Sequence, residues 1–308
     1  MTGEVDLAAT TTAARTNETS IGGERWREAL VGYAFIAVPM LVYAVLFFYP
    51  ILYAVYISRY DWGVFGKIES RGWGNYSELA HDERFRIAIK NGLKFTVAFT
   101  ILSMALGLFV AVVVNNALRF RGFFRSAYYF PSISGSAAIT AIALYILSAD
   151  GLFNKITGLN RAWFGESSTA LWAIVGLNSW TTSGTVMLFY LAYLQAIPRD
   201  VYEAAAIDGA GAWRTFWKVT FPLLKPGHFF VSTLLVIGGL KMFDQAFIAS
   251  GGTGGPNNST LVPVLYLYRT AFADVKFGLA AAVGLTLMVL MLVLTLIQRF
   301  TFGRGESA

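Results

Sequence analysis

Cysteine is absent from the 308 residues of the chain, and charged residues are scarce at 14%. The first absence excludes disulfide bonds, thiolate metal sites and a cysteine nucleophile. The second contrasts with the roughly 25% of charged residues in soluble domains. No G-x-x-x-x-G-K-[ST] sequence occurs, which excludes a P-loop for ATP in this chain. No basic stripe interleaved with stacking aromatic residues occurs either, so nucleic acid is not an expected partner.

Hydrophobic residues make up 56% of the chain and form runs long enough to span a bilayer. We predict an all-α membrane protein with a disordered cytoplasmic tail at residues 1–24 and one transmembrane domain at residues 25–308. The six predicted spans lie at about residues 30–58, 93–115, 127–147, 170–196, 228–249 and 277–300. The first run is too long for a signal peptide, and Pro39 and Pro50 are expected to bend or end it.

The segments between these spans have patterns of their own. Residues 82–91 are predicted to form a short amphipathic helix at the membrane surface, and residues 150–168 a loop. Residues 251–260 are predicted to form a glycine- and asparagine-rich turn, followed by a partly amphipathic segment at residues 261–274.

The distribution of basic residues predicts the topology. Six spans place both termini on one side, together with the loop of Arg119, Arg121 and Arg125, which contains no acid. By the positive-inside rule this side is cytoplasmic. The loop at residues 59–94 also has more cations than acids, but we assign it outside because five acidic residues are interspersed in it.

Residues 198–226, called here the EAA segment, mix polar and apolar residues between two strongly apolar runs. Asp200 and Glu203 are spaced as a helix-capping pair, while Gly209 and Gly211 predict a break before a second helix. One face of that second helix is aromatic and consists of Trp213, Phe216 and Trp217. Such a segment requires a partner surface. The pattern alone leaves an amphipathic hairpin lying on the membrane as an equal alternative.

The sequence Glu203-Ala204-Ala205, followed by Gly209 and Pro222, resembles the EAA coupling motif of ABC importer permeases. The surrounding sequence resembles the sugar-importing branch of that family, which includes maltose and glycerol-phosphate permeases. The resemblance covers nearly the whole chain after the tail. The usual aliphatic-Leu-Pro ending reads Thr220-Phe221-Pro222, and the large external domain of some maltose permeases is absent.

The resemblance implies a six-helix type I importer permease in a bacterial or archaeal cell (inner) membrane, with a cytoplasmic coupling loop at residues 198–226. The implied partners are a second permease subunit, a cytoplasmic ABC ATPase dimer, an extracytoplasmic substrate-binding protein, a sugar and the lipid bilayer. ATP and Mg belong to the ATPase, and this chain is expected to hold no cofactor and to have no enzyme activity of its own.

The resemblance also assigns ATPase coupling to particular residues. In this interpretation Glu203 meets a basic or hydrogen-bonding group of the ATPase, Gly209 allows a close turn, and the aromatic face anchors the contact. The assigned residues are Glu203, Ala204, Ala205, Asp208, Gly209, Trp213, Phe216 and Trp217. The structural alternative is that the aromatic residues pack against helices of the same chain.

Polar residues inside the predicted spans are candidates for a substrate pathway, because they are costly in hydrocarbon. The candidates are Asn178, Trp180, Thr181, Thr182, Thr185, Gly239, Lys241, Asp244 and Gln245. In related maltose-type permeases these two spans supply the sugar contacts. The alternative is that the threonines bond to their own helix and that Lys241 and Asp244, at i and i+3, form a structural pair. His81 and His228 are expected to be solvated or interfacial, without a metal.

Two other classes of function were weighed. An ion-coupled secondary transporter could use Lys241 and Asp244, but such proteins commonly contain internal repeats, and none is recognisable in this sequence. A membrane enzyme needs a convergent set of acid, base or metal-binding groups, which the spans do not offer. The sequence leaves disaccharides, oligosaccharides, sugar alcohols and glycerol phosphate open as substrates, and the small number of cations in the spans favours a neutral sugar.

Overall fold

The computed structural model describes residues 26–115 and 121–302. The predicted tail at residues 1–24 lies outside these residues, as do Arg25, Arg119 and Arg304. The chain divides after Tyr56 into two units. The fold is mostly helical, as predicted.

Helix α1, Trp26–Ile57, is strongly apolar after Arg27 and Glu28 and provides the described part of the first unit. A π-helical turn at Ala44–Phe48 precedes Pro50, and the helix continues through both Pro39 and Pro50. A widened turn already departs from the regular hydrogen-bond ladder, so it accommodates the proline ring. A single apolar helix has no core of its own, so its apolar surface requires an apolar partner.

A small antiparallel hairpin opens the second unit, with strand β1 (Tyr60–Gly63) paired to β2 (Gly66–Ser70). The sequence analysis did not predict it, because its turn residues, Val64 and Phe65, carry none of the usual Asn-Gly or Asp-Gly signal. Helix α2, Gly74–His81, follows.

Helix α3, Glu83–Asn115, is 33 residues long and includes the segment predicted as a separate surface helix at residues 82–91, so that prediction is wrong. Gly92 does not break the helix. It faces Pro263 so closely that an added Cβ would lie 2.6 Å from the proline Cδ. Asp82 begins the helix by accepting hydrogen bonds from the backbone N–H groups of Arg84 and Phe85 at 2.7 and 3.1 Å.

The predicted third span, residues 127–147, is broken. Helix α4 (Arg121–Ile133) and helix α5 (Ser136–Ile146) meet at a bend of 93°. Pro131 weakens the end of α4, and Gly135 occupies the N-cap of α5, so the two helices cannot continue as one rod. Helix α6, Leu152–Thr157, lies within the segment predicted as a loop at residues 150–168.

Helix α7, Ala170–Gln195, lies at the centre of the second unit and packs closely on α3 and α4. Small residues allow this approach, since an added Cβ at Gly184 would overlap the Tyr128 carbonyl oxygen. The described residues contain four helices that are long and apolar enough to span a membrane, or five if the bent pair is one span. Although 26 residues long, α7 is too polar to be counted with them, so the total of six spans stays a prediction.

The last third of the chain carries the EAA segment and two more candidate spans. Its helices are α8 (Arg199–Ile207), α9 (Ala212–Thr215), α10 (Lys225–Leu240), α11 (Asp244–Ser250), α12 (Pro263–Phe272) and α13 (Phe277–Phe302). A π-helical turn at Phe216–Thr220 and a helical turn at Phe221–Leu223 join α9 to α10. The predicted turn at residues 251–260 contains a short 3₁₀ turn, Pro256–Asn258, and the predicted amphipathic segment is α12.

Candidate functional site

A cavity of about 380 Å³ lies among α3, α7, α10 and the start of α11. Its apolar wall includes Phe95, Phe99 and Phe189. Its polar lining consists of Asn178, Thr182, Thr185, Lys241, Asp244 and Gln245. Aromatic rings facing neutral hydrogen-bonding groups are chemically suited to a sugar.

A second cavity of about 210 Å³ adjoins the first, between α7 and the bend from α4 to α5. Asn178, Thr182, Thr185 and Gln245 line both cavities. The second cavity adds Thr181 and several hydroxyl groups of the bend, which belong to Ser132, Ser134, Ser136 and Thr140. Seven of the nine predicted pathway residues thus line one or both cavities.

The other two predicted residues lie elsewhere. Trp180 and residues of the bend line a separate apolar groove of about 990 Å³. Trp180 is two positions after Asn178 on the same helix, so its side chain points about 200° away from that of Asn178 around the helix axis. Gly239 is buried against α3, where an added Cβ would lie 2.9 Å from Thr96 Oγ1. Its structural effect is to let α10 approach α3 closely.

Asn178 stands out in the shared wall. Its side chain is 7% exposed, and its amide nitrogen has no hydrogen-bond partner among the described residues. Nearly all buried polar groups in proteins are paired, so a donor without a protein partner beside a cavity is available to an acceptor that enters the cavity. Thr181, by contrast, donates to the Asn178 backbone carbonyl at 3.0 Å, as the structural alternative expected.

The structural alternative, in which Lys241 and Asp244 pair, is wrong, because no ion pair joins them within the described part of the chain. The helix is interrupted between Leu240 and Asp244, with Lys241 at the C-cap of α10, and the i, i+3 relation on one helix is therefore lost. Asp244 instead accepts a hydrogen bond from Ser136 at 2.6 Å. Ser136 is not among the predicted pathway residues, although Pro131 and Gly135 are signals of a broken helix beside it.

The helix in the EAA segment ends at the predicted break, at Gly209, but it does not begin with the predicted N-cap, Asp200. Helix α8 has Pro198 at its N-cap, and Asp200 lies inside the first turn, where its negative charge still interacts favourably with the helix dipole. At the other end Gly209 has φ +70°, with the N–H groups of Gly209 and Ala210 bonded to the carbonyls of Ala206 and Ala205. This is a Schellman motif, which requires a left-handed residue.

The aromatic residues of the EAA segment contact one another at the surface. Trp213 and Trp217 lie 5.7 Å apart between ring centroids, and Phe216 lies 5.1 Å from Trp217. Trp213 is 77% exposed and the nearby Ile207 is 87% exposed. The carboxylate of Glu203 is exposed, and no described residue pairs with it. The segment thus presents an apolar surface and an acidic group outward.

The two histidines differ. His81 is exposed, whereas His228 is half-buried and lies 2.8 Å from the hydroxyl of Tyr190. Within residues 26–115 and 121–302, no group of three histidine, aspartate or glutamate side chains is placed to hold a metal ion.

Curated relatives match most of the chain. The lactose transport system permease protein LacF of Rhizobium radiobacter is 34% identical over 87% of this chain and 92% of its own length. The arabinooligosaccharides transport system permease protein AraP of Bacillus subtilis is 32% identical over 89% of this chain and 90% of its own. Both names describe transport components, in agreement with the prediction that the chain is not an enzyme.

A solved structure shares the fold. The crystal structure of a bacterial ABC transporter involved in the import of the acidic polysaccharide alginate contains a chain that matches with a TM-score of 0.76 at 20% identity. The match covers 94% of this chain and 100% of that one. The family described as binding-protein-dependent transport system inner membrane component matches residues 23–304. The resemblance found in the sequence is therefore confirmed, and the chain belongs to this family of inner-membrane transport components.

Proposed function

We propose that the chain is the permease subunit of an ATP-driven importer that moves a di- or oligosaccharide across the cell membrane. An external binding protein delivers the sugar, a second permease subunit completes the pathway, and two cytoplasmic ATPase subunits hydrolyse ATP with Mg. Relatives named for lactose and arabinooligosaccharides support this class of substrate.

The observation that carries the proposal is the orphan amide nitrogen of Asn178 in the wall shared by the two cavities. Asn178 donates to a hydroxyl or ring oxygen of the sugar, and Thr182 and Thr185 supply further neutral hydrogen-bond partners. The first cavity falls in the roughly 300–1,000 Å³ range of small-molecule sites.

The EAA segment docks on the ATPase. A surface with Trp213 and Ile207 mostly exposed is costly in water and is typical of an interface. Glu203 lies on the preceding helix and meets a basic or hydrogen-bonding group of the ATPase. Both termini are cytoplasmic in this arrangement, on the same side as the EAA segment.

The test is sugar uptake by proteoliposomes that contain the whole complex and its binding protein. The panel is lactose, an arabinooligosaccharide and an alginate oligosaccharide, because two relatives are named for the first two sugars and the structural neighbour takes part in alginate import. We expect ATP-dependent uptake of at least one. Asn178→Leu removes a hydrogen bond worth about 1–3 kcal/mol, so the apparent KM should rise about 5- to 150-fold.

Trp180→Leu is the matched control, because Trp180 lies on the same helix but outside both cavities. Its KM should equal that of the wild type. A KM that responds to Trp180→Leu and not to Asn178→Leu contradicts the assigned cavity. Uptake that follows an ion gradient without ATP supports a secondary transporter instead.

A further inference from the structure

Tyr190 and His228 form a buried contact between α7, which lines both cavities, and the beginning of α10. Tyr190 is fully buried, and its hydroxyl lies 2.8 Å from His228 Nδ1. The other ring nitrogen of His228 lies 3.2 Å from the carbonyl oxygen of Phe221. One histidine side chain therefore joins the cavity helix to the last turn of the EAA segment.

These partners fix the proton positions. A carbonyl oxygen can only accept, so His228 Nε2 carries the hydrogen and donates it to Phe221. In the neutral ring, Nδ1 is then an acceptor, and Tyr190 donates to it. Each nitrogen of His228 has a distinct partner on a different element, so the ring acts as an oriented bridge.

The bridge continues towards the exposed surface through aromatic rings. The ring of Phe221 lies 4.5 Å from that of His228 and 5.2 Å from that of Trp217. Trp217 in turn contacts Trp213, which is 77% exposed. A continuous series of ring contacts thus connects the exposed aromatic residues to His228.

The Tyr190–His228 contact lies close to the cavities along α7. Tyr190 is five residues after Thr185 on α7, or about 8 Å along the helix axis. Gly227 lets α10 lie directly against α7 here, since an added Cβ would come within 2.9 Å of the Tyr193 ring. A rigid helix that is held at this point transfers movement to the residues that line the cavities.

We propose that Tyr190 and His228 are positioning residues that transmit movement of the EAA segment to the cavity helix. The inference rests on the proposed function, in which the EAA segment moves with the ATPase. Loss of the Tyr190–His228 hydrogen bond uncouples the cavities from ATP without removing any group that faces the sugar or the ATPase.

The chain contains no cysteine, so Thr182→Cys provides a single reporter in the wall of both cavities. The experiment measures the rate at which a fluorescent maleimide labels this position in the whole complex, with and without Mg-ATP. It requires neither sugar nor binding protein. ATP hydrolysis by the same sample is measured in parallel.

We expect Mg-ATP to change the labelling rate at least threefold in the Thr182→Cys parent. Adding Tyr190→Phe should reduce this change to less than 1.5-fold while ATP hydrolysis continues. Tyr193→Phe is the matched control. Tyr193 lies on the same helix, and its hydroxyl has no hydrogen-bond partner among the described residues. This variant should behave like the parent.

His228→Phe provides a second test if Tyr190→Phe does not assemble, since it keeps the ring but removes both nitrogen atoms. The double variant should be no worse than His228→Phe alone, because the one bond that Tyr190→Phe removes is already absent from His228→Phe. A full ATP response in Tyr190→Phe or His228→Phe, or losses that add, overturns the inference. A parent that does not respond to Mg-ATP overturns the proposed coupling itself.

Discussion

Tyr266 donates a hydrogen bond of 2.7 Å to Asp82, although the two residues are 184 positions apart. The bond joins α12 to the residue that begins α3. Asn91 adds two bonds nearby, from its side-chain nitrogen to the carbonyls of Asn258 and Leu261 at 2.8 and 3.1 Å. These bonds therefore hold the start of α3, which is one of the cavity helices, against α12 and the turn that precedes it.

Tyr266→Phe should destabilise the protein by about 1.5–3 kcal/mol, because it removes a hydrogen bond to a charged carboxylate. The measurement is the thermal unfolding of the complex in detergent. Tyr268→Phe is the control, since Tyr268 lies on the same helix and packs its ring against Phe243 and Phe272. Equal losses in both variants would show that the Asp82 bond is not the cause.

The same bond predicts a dependence on pH. Partial burial alone would raise the pKa of Asp82, but the hydrogen bonds from Tyr266 and from the backbone of Phe85 and Arg84 outweigh burial and hold it below its ordinary value of 3.8. Since the folded-state pKa is depressed, the stabilisation is present above the ordinary value and is lost as the pH falls through the folded-state pKa.

The stability difference between wild type and Tyr266→Phe should therefore be constant near neutral pH and shrink below about pH 4. Unfolding followed by intrinsic fluorescence across this range measures it. A difference that grows on acidification would contradict the sign of the Asp82 pKa shift.

Gly107→Ala should weaken the packing of α3 on α7. An added Cβ would overlap the Val186 side chain, coming within 2.6 Å of its Cβ, and would lie 3.1 Å from the backbone nitrogen of Met187. Overpacking of this kind costs about 1–3 kcal/mol. Gly176→Ala on α7 meets nothing within 4 Å and should be neutral. Thermal unfolding in detergent measures the stability of both variants. Equal stability would contradict the close approach of α3 to α7 at Gly107.

The helix break at Gly209 and the interior position of most of the polar residues follow from local signals in the sequence. Gly209 fits a helix C-terminus, and polar residues in otherwise apolar helices favour an interior position. The spacing of the polar residues could not predict that they line the same cavities, because this depends on how α7, α10 and the bend pack together.

Two of the failures have a common physical origin in broken helices. Hydropathy is continuous across residues 127–147 and across Lys241–Phe243, so an apolar window cannot detect a change of direction. The lost Lys241–Asp244 pair and the gained Ser136–Asp244 bond both follow from these breaks. The Tyr190–His228 contact was equally hidden, because its partners are 38 residues apart.

Gly209→Ala should impair coupling, whereas Gly211→Ala should not. Neither glycine has a neighbour within 4 Å of an added Cβ, but only Gly209 has a positive φ, at +70°. A left-handed conformation costs a residue with a side chain about 1–2 kcal/mol, so the turn between α8 and α9 should loosen. ATP-dependent uptake should fall in Gly209→Ala alone. Similar losses in both variants would show that backbone conformation is not the reason.

The most direct test of the account is ATP hydrolysis by the complex purified through this chain, with and without its binding protein and each sugar of the panel. We predict that an ATPase co-purifies and that the binding protein with one of the sugars stimulates hydrolysis severalfold. If no ATPase co-purifies and uptake instead follows an ion gradient, the chain is not the permease of an ATP-driven importer.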